Sequence, residues 1–402
     1  MTDHPFLSYG RQWIDAEDEA AVLAALRSPF LAHGPRVGAF ETAFAKAVGA
    51  QDAVACSSGT AALHLLYCSL DLPVGSRVLV PAITFLATAT AAILAGLEPV
   101  LSDVDPRSGL MTPAIAEAAL AVAERNGKPI SLLAPVHLGG AICDLVALQD
   151  LASRHGAHLV EDACHALGGR DAEGVAVGAA RHSQGATFSF HPVKTLAAGE
   201  GGMITLNGQD RAERLRRLRN HAVTRVASDL SAPHSFDAQG EVTPWTYEQT
   251  ELGFNYRMCE MEAALGLSQL GKLEMFAARR RHLVGLYAEA LQPLAPLVAL
   301  SATPPGQDPC RHLLTVFIDF VAADISRAQV MKRLAATGIG SQVHYIPLYR
   351  QPYFHHRLGE MRLQGAEAWY AQTLSLPLFP AMDDDDVARV VAALAQVLGR
   401  PS

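Results

Sequence analysis

The stretch T-F-S-F-H-P-V-K-T-L-A-A-G-E-G-G, residues 187–202, decides the fold prediction. It begins in an apolar strand predicted at residues 186–190, passes through a loop that carries Lys194, and ends in glycines before a strand at residues 203–206. A lysine that follows a buried strand can be desolvated, and a desolvated amine can form a Schiff base with a carbonyl compound. Most lysines are simply solvated, so this stretch alone leaves both interpretations of Lys194 open.

Outward from this stretch, strands and helices alternate over the first half of the chain. The pattern predicts helices at residues 14–27, 40–48, 59–70, 87–95, 113–125 and 144–155, and strands at residues 77–80, 99–101, 130–136, 158–161, 186–190 and 203–206. Helices between strands cover both faces of a mostly parallel sheet, so we expect an α/β fold. Ligands of such sheets bind beyond the carboxyl ends of the strands.

The pattern changes after residue 206 and predicts a second, smaller α+β domain. Polar residues 225–250 indicate an irregular loop region, and residues 258–291 form a long helical stretch. The remaining pattern predicts strands at residues 312–320 and 340–345, and helices at residues 326–337, 366–374 and 385–398. We therefore expect a large domain over residues 1–260, followed by a linking helix and small domain over residues 261–402.

Composition excludes several classes of function. The formal net charge of −8 offers no electrostatic reason to bind nucleic acid, and the arginine-rich residues 211–219 fit a solvated helix face better than an anion site. The chain shows neither a signal-peptide pattern nor an apolar stretch of membrane-spanning length, so we expect a cytoplasmic location and no membrane contact. The six cysteines form no C-x-x-C pair, and H-E-x-x-H is absent, so we expect reduced thiols and no metal site.

A small-residue segment, C-S-S-G-T-A-A-L at residues 56–63, precedes a predicted helix. The free backbone N–H groups of Ser58, Gly59 and Thr60 could cradle a phosphate at the positive end of that helix. An ordinary helix N-cap explains the segment equally well.

A second segment, H-L-V-E-D-A-C-H-A-L-G at residues 158–168, delivers two carboxylates to the end of a predicted strand. Either Glu161 or Asp162 could hold a protonated ring nitrogen and so make a pyridoxal ring an electron sink. A helix cap or a solvent-facing pair is the alternative. A third segment, G-F-N-Y-R-M at residues 253–258, is by itself only a loop that enters a helix.

Taken together, the ordered motifs resemble the DegT/DnrJ/EryC1/StrS aminotransferases. The motifs are S-S-G-T-A-A-L, P-A-I-T-F-L-A-T, E-D-A-C-H-A-L-G, F-S-F-H-P-V-K-T-L-A-A-G-E-G-G, G-F-N-Y-R-M and V-H-Y-I-P-L-Y. The resemblance extends over residues 9–398. It implies a fold-type-I transferase that uses pyridoxal 5'-phosphate to move an amino group onto a nucleotide-linked keto sugar.

The same resemblance implies roles for individual residues. Lys194 matches the Schiff-base lysine, and Asp162 matches the carboxylate that holds the pyridine nitrogen. The other implied cofactor contacts are the phosphate-binding Ser58, Gly59, Thr60 and Ser189, the ring-stacking Phe85, and His165, which stands where most of the family has glutamine. Asn255 matches an asparagine that reaches the phosphate from the neighbouring subunit, which implies a homodimer with a shared active site.

Three short matches resemble a narrower branch, the C4 aminotransferases of the pseudaminic acid pathway. They are H-A-L-G, F-S-F-H-P-V-K and Q-V-H-Y-I-P-L-Y, and they imply transfer from L-glutamate to UDP-4-keto-6-deoxy-β-L-AltNAc. Aminotransferases for other UDP- or GDP-linked keto sugars, of the perosamine or bacillosamine type, share much of this pattern. A sugar dehydratase of the same family is a further alternative, although the best-known type has histidine where this chain has Lys194.

Substrate contacts are less constrained by the sequence. The candidates are His33, His191, His344, Tyr345 and Tyr349, with Gly34 beside the first of them. Arg219 and His221 could contact a carboxylate or a diphosphate. For each of these residues a structural role explains its position equally well.

Overall fold

A mixed sheet forms the centre of the first half of the chain in a computed structural model, which describes residues 5–400. Its strands are β1 (Asp52–Cys56), β2 (Arg77–Pro81), β3 (Glu98–Ser102), β4 (Ile130–Leu133), β5 (His158–Leu159), β6 (Glu161–Asp162), β7 (Ala186–Ser189) and β8 (Gly202–Leu206). β5 and β6 act as one strand, because the Val160 N–H donates to Leu133 on one side and the Glu161 N–H donates to Gly185 on the other. The strand order is therefore β3-β2-β4-β5/β6-β7-β8-β1, and β8 is antiparallel to both neighbours.

Helices cover this sheet as the sequence predicts. They are α1 (Ala16–Leu26), α2 (Pro35–Val48), α3 (Gly59–Cys68), α4 (Ala87–Leu94), α5 (Pro113–Arg125), α6 (Leu145–Arg154) and α7 (Gln209–Leu218). The α/β prediction is confirmed, and local chemistry explains most boundaries. The side chains of Ser58, Thr112 and Asp144 accept hydrogen bonds from the first turns of α3, α5 and α6. α2 begins earlier than predicted because Pro35 is preorganised for a first helical position.

Residues 225–250 are irregular, as predicted, apart from two 3₁₀ turns (Ala227–Asp229 and Pro233–Ser235) and the two-residue strand β10 (Glu248–Gln249), which pairs with β9 (Val223–Thr224) just before this region. Three antiparallel strands follow in the order β11 (Val298–Leu300), β12 (Leu314–Ile318) and β13 (Thr373–Leu376). The helices of this part are α8 (Glu260–Leu270), α9 (Leu273–Ala290), α10 (Arg327–Ala336), α11 (Pro352–Leu358), α12 (Gln364–Gln372) and α13 (Asp384–Val397). Leu283, Val316, Leu334, Leu374 and Val390 lie in a separate apolar core of this region.

Two predictions for the second half are wrong, and one helix is displaced by two residues. The helical stretch 258–291 is two helices, because the chain turns at Gly271 and Lys272 between α8 and α9. Residues 340–345 form no strand, since only Gln342 pairs, with Ser375, before the chain turns towards the large sheet. The predicted helix 366–374 ends at Gln372, where the chain pairs with β12 instead.

The proposed domain boundary between residues 260 and 261 remains a prediction. α8 packs against α1 and α2, and the Glu260 carboxylate accepts hydrogen bonds from the backbone N–H groups of Arg36 and Val37. α9 packs against α13 instead. No helix within residues 5–400 has the length and apolar character needed to cross a membrane.

Candidate active site

A cavity of about 610 Å³ lies at the carboxyl ends of the central strands. Asp162 ends β6, Ser189 ends β7, and Ser58 lies just beyond β1. The sequence-predicted residues that line the cavity are Ser58, Gly59, Thr60, Phe85, Asp162, His165, Ser189, His191, Lys194, His344 and Tyr345. The sheet thus brings to one place residues that lie more than 100 positions apart in the chain.

Lys194 lies in the loop after β7, where its backbone N–H donates to the His191 carbonyl at 2.8 Å. Its side chain lines the cavity. Burial lowers the pKa of the Lys194 ammonium below its usual value, although the negative charge of Asp162 opposes this effect. A lysine in this environment can supply a free amine more readily than a solvated lysine can.

The structure distinguishes Asp162 from Glu161, which point to opposite faces of the strand. Asp162 faces the cavity, where its Oδ2 accepts from Thr88 Oγ1 at 2.7 Å and its Oδ1 accepts from the Cys164 N–H at 3.2 Å. Glu161 instead pairs with His137 Nε2 at 3.2 Å and accepts from Ser183 Oγ at 2.6 Å. Asp162 is therefore the carboxylate that a ligand in the cavity can meet.

The N-terminus of α3 forms the predicted phosphate cradle and also the predicted cap. Ser58 Oγ accepts from the Ala61 N–H at 3.1 Å, while Gly59 and Thr60 open the helix beside the cavity. A Cβ atom on Gly59 would lie 2.7 Å from Ser189 Cβ, so only glycine allows this close approach. The resulting site combines helix N–H groups and a serine hydroxyl, which fits a phosphate.

Aromatic and imidazole rings form the opposite wall. His165 Nδ1 accepts from the Gly139 N–H at 3.3 Å, so its Nε2 carries the hydrogen and donates to Tyr345 Oη at 3.2 Å. Burial lowers the pKa of His165 well below its usual value, and lowers the pKa of His344 to about 3, so both rings are neutral near pH 7. Phe85 is 54% exposed and lies 6.1 Å from the Tyr345 ring, which leaves its face open to a planar ligand.

These residues fit pyridoxal 5'-phosphate. The cavity offers a phosphate cradle at one end, a carboxylate for a ring nitrogen, an aromatic face, and an amine of lowered pKa. The sequence alone did not identify Tyr9, Thr84, Thr88, His312, Gln342 and Gln351 as part of the cavity or its hydrogen bonds. Thr84 and Thr88 both lie in the motif P-A-I-T-F-L-A-T. Their spacing of four positions was the one pattern from which a contact between them could have been predicted.

Three sequence-predicted residues do not line this cavity. The buried Tyr349 donates to Glu367 Oε1 at 2.7 Å, a structural contact that accounts for its position. His33 lines a second groove of about 230 Å³, together with Gly34, Arg216, Arg219, Asn220 and Arg257. Asn255 is exposed and pairs with Asn220 at the same groove.

The arginine-rich helix α7 forms ion pairs rather than the solvated face that we predicted. Arg214 pairs with Asp71 at 2.5 Å and Glu251 at 2.9 Å. Arg216 pairs with Asp52 at 2.9 Å, and Arg219 pairs with Glu41. Because a carboxylate already neutralises Arg219, that residue is a poor candidate for binding an anion, and the exposed His221 lies outside the cavity.

The fold and the site define a fold-type-I transferase that depends on pyridoxal phosphate. A model of the DegT/DnrJ/EryC1/StrS aminotransferase family matches residues 12–395, and the chain belongs to this family. It is therefore a pyridoxal-phosphate-dependent sugar transaminase.

Solved structures agree with this family membership. DesV from S. venezuelae, solved with a ketimine intermediate, is 31% identical with a TM-score of 0.84, over 99% of this chain and 100% of that one. DesI, solved in the presence of its TDP-sugar product, is 31% identical with a TM-score of 0.83, over 99% and 94% of the two chains. Helicobacter pylori PseC, an aminotransferase involved in pseudoaminic acid biosynthesis, has a TM-score of 0.87 over 98% and 99%, but at 23% identity it supports the fold alone.

Proposed function

We propose that this enzyme moves an amino group from L-glutamate to C4 of a nucleotide-linked 4-keto-6-deoxy sugar. The observation that carries the proposal is the convergence of Lys194 and Asp162 on one cavity beside the Gly59 cradle. A chain with a nicotinamide-dependent chemistry would instead need a G-x-G-x-x-G turn after its first strand, and the sequence contains none there.

Each proposed role follows from a position in the cavity. Bound pyridoxal phosphate supplies a carbonyl that accepts amines and a ring that withdraws electrons. Lys194 Nζ holds the cofactor and, once displaced by an incoming amine, carries a proton to or from the glutamate α-carbon and C4 of the sugar. Asp162 holds the proton on the pyridine nitrogen, and Phe85 packs on the ring. His165, which is neutral, lies beside it and holds the Tyr345 hydroxyl through Nε2.

For the sugar, we propose UDP-4-keto-6-deoxy-β-L-AltNAc, the substrate class of the pseudaminic acid pathway. Three short motifs resemble that branch, and the structure of PseC has the same fold. His191, His344 and Tyr345 line the cavity and are the proposed sugar contacts. Another UDP- or GDP-linked keto sugar of the perosamine or bacillosamine type is the alternative.

The charge of the cavity supports a homodimer with a shared active site. Of the described residues that line it, Lys194 is the only lysine or arginine, yet glutamate and a nucleotide sugar both bring negative charge. Arg257, in the second groove, donates to Asn220 Oδ1 at 2.8 Å and has no carboxylate partner within residues 5–400. We propose that the groove of one subunit, with His33, Asn255 and Arg257, completes the cavity of the other.

We also propose a cytoplasmic location. All six cysteines are free thiols, and Cys56, Cys143 and Cys310 are buried, which is typical of proteins from reducing compartments.

A spectroscopic experiment tests the proposed reaction. L-Glutamate added to the holoenzyme should bleach the absorbance of the lysine-bound cofactor, and UDP-4-keto-6-deoxy-β-L-AltNAc should restore it. D-Glutamate is the matched control and should leave the spectrum unchanged. Restoration by a different nucleotide-linked keto sugar alone would replace the proposed substrate. A spectrum that no amino acid bleaches would contradict a transaminase.

A further inference from the structure

A short chain of hydroxyl groups leads to Asp162 from the N-terminal end of α4. Thr88, in the first turn of α4, is fully buried, and its Oγ1 lies 2.7 Å from Asp162 Oδ2. The same Oγ1 lies 2.8 Å from Thr84 Oγ1. Thr84 is also buried and lines the cavity.

The direction of these hydrogen bonds follows from the chemistry of the groups. An ionised carboxylate can only accept, and a hydroxyl has a single hydrogen to donate. Thr88 gives its hydrogen to Asp162 at 2.7 Å, rather than to the more distant Phe85 carbonyl at 3.4 Å, and Thr84 then gives its hydrogen to Thr88. The chain runs from Thr84 through Thr88 to Asp162, so every donor points towards the negative charge.

Thr88 is the side chain that holds this carboxylate. The only backbone donor to the Asp162 carboxylate within residues 5–400 is the N–H of Cys164, at the longer distance of 3.2 Å. The titratable groups whose charge interacts with Asp162 are Tyr67, Cys164, Lys194 and Tyr345. Of these, only the Cys164 thiol is also within hydrogen-bonding reach of the carboxylate, and a thiol is a weak donor. The positive end of α4 adds a favourable interaction with the carboxylate.

We infer that Thr88 is a positioning residue, which orients the Asp162 carboxylate towards the pyridine nitrogen of the cofactor. The inference rests on the proposed role of Asp162. Hydrogen bonds to a charged group are among the stronger ones in proteins, and their loss leaves the carboxylate free to rotate. Thr84 acts one step further away, through Thr88.

The test replaces the hydroxyl by a methyl group of the same size. Thr88→Val should lower kcat about tenfold or more with KM nearly unchanged, because the lost hydrogen bond acts on the reacting cofactor rather than on substrate binding. The pH midpoint of the cofactor's absorbance change should rise. A pyridine nitrogen that is less firmly protonated withdraws fewer electrons from the bond to Lys194.

Two control variants separate this role from a structural one. Thr88→Ser keeps the hydroxyl and should recover most of both effects. Thr90→Val makes the same change on the same helix, at a half-buried position whose side chain has no hydrogen bond within residues 5–400. It should change kcat by less than about twofold, and it should shift the pH midpoint by no more than roughly a few tenths of a unit.

Comparing the effect of Thr88→Val in the wild type and in Asp162→Asn shows whether Thr88 acts through Asp162. Adding Thr88→Val to Asp162→Asn should cause little further loss, since the two residues work as one unit. An unchanged absorbance midpoint in Thr88→Val, with only a lower melting temperature, would overturn the inference, as would a full additional loss in the double variant. A normal midpoint and turnover in Asp162→Asn itself would instead overturn the proposed role of Asp162.

Discussion

At the scale of single residues, the site depends on which of two neighbouring carboxylates faces the cavity. Strand geometry places Glu161 and Asp162 on opposite faces. His137 and Ser183, which lie on other segments of the chain, form hydrogen bonds with Glu161. These contacts decide that Asp162, and not Glu161, faces the cavity. Sequence reasoning alone therefore left both candidates open, and the resemblance to the family was needed to choose between them.

The same limit applies to Tyr349, for which the sequence left a structural role and a substrate contact equally open. Tyr345 and Tyr349 lie four positions apart in V-H-Y-I-P-L-Y, and both are aromatic groups with a hydroxyl. Only Tyr345 meets the cavity, through His165, while Tyr349 bonds to Glu367 on α12. A contact with a residue from a distant element leaves no local pattern that a sequence could show.

Burial of Lys194 predicts how the apoenzyme captures its cofactor. An ammonium cannot attack the carbonyl, so the rate of capture should rise as Lys194 loses its proton. Because the pKa of Lys194 is lowered, the rate should level off at a pH below the ordinary lysine value of about 10.4. Stopped-flow absorbance across a pH series measures this rate. A rate that keeps rising through pH 10 would contradict the lowered pKa.

At the scale of elements, the sequence predicts the parts that carry strong local signals. α5 agrees at both ends with the prediction, since Thr112 caps it and Pro113 opens it. β1 gives a weak signal, because D-A-V-A-C is short and contains two alanines, yet this strand leads directly to the phosphate cradle. The approach of Gly59 to Ser189 joins α3 to β7 and was not evident from either segment alone.

Residues 340–345 show where tertiary contacts override a local preference. The segment G-S-Q-V-H-Y contains the β-branched Val343 and the aromatic Tyr345, which are residue types enriched in strands. His344 instead bonds to Ser375 Oγ at 2.8 Å, and Tyr345 extends to His165, in the turn that follows β6. The contact between Tyr345 and His165 therefore replaces strand pairing, and it forms part of one wall of the cavity.

At the scale of the whole molecule, one chain supplies the side chains that bind and react with the cofactor. It supplies little positive charge to bind the substrates. The cavity contains Lys194, whereas the guanidinium of Arg257, which has no carboxylate partner within residues 5–400, lies in a separate groove. A homodimer in which each groove faces the other subunit's cavity resolves this mismatch, because a C2 interface places the same pair of surfaces together twice.

Hybrid dimers test this arrangement. The first purified hybrid combines a Lys194→Ala subunit with an Asn255→Ala/Arg257→Ala subunit. It should regain about half of wild-type activity, since one complete cavity is restored. The matched control carries all three changes in one subunit, beside a wild-type subunit, and should be nearly inactive. The two hybrids contain the same substitutions and differ only in their distribution. If each subunit's site were complete by itself, the control would be the active hybrid.

The most direct test of the account is the turnover of Lys194→Ala with L-glutamate and a nucleotide-linked keto sugar. Lys194 both anchors the cofactor and moves the proton, so the variant should lose about a thousandfold or more in kcat while it remains folded. Lys46→Ala, which changes an exposed lysine on α2, should behave as the wild type. Turnover close to the wild-type rate in Lys194→Ala would contradict the assignment of Lys194 and the active site built around it.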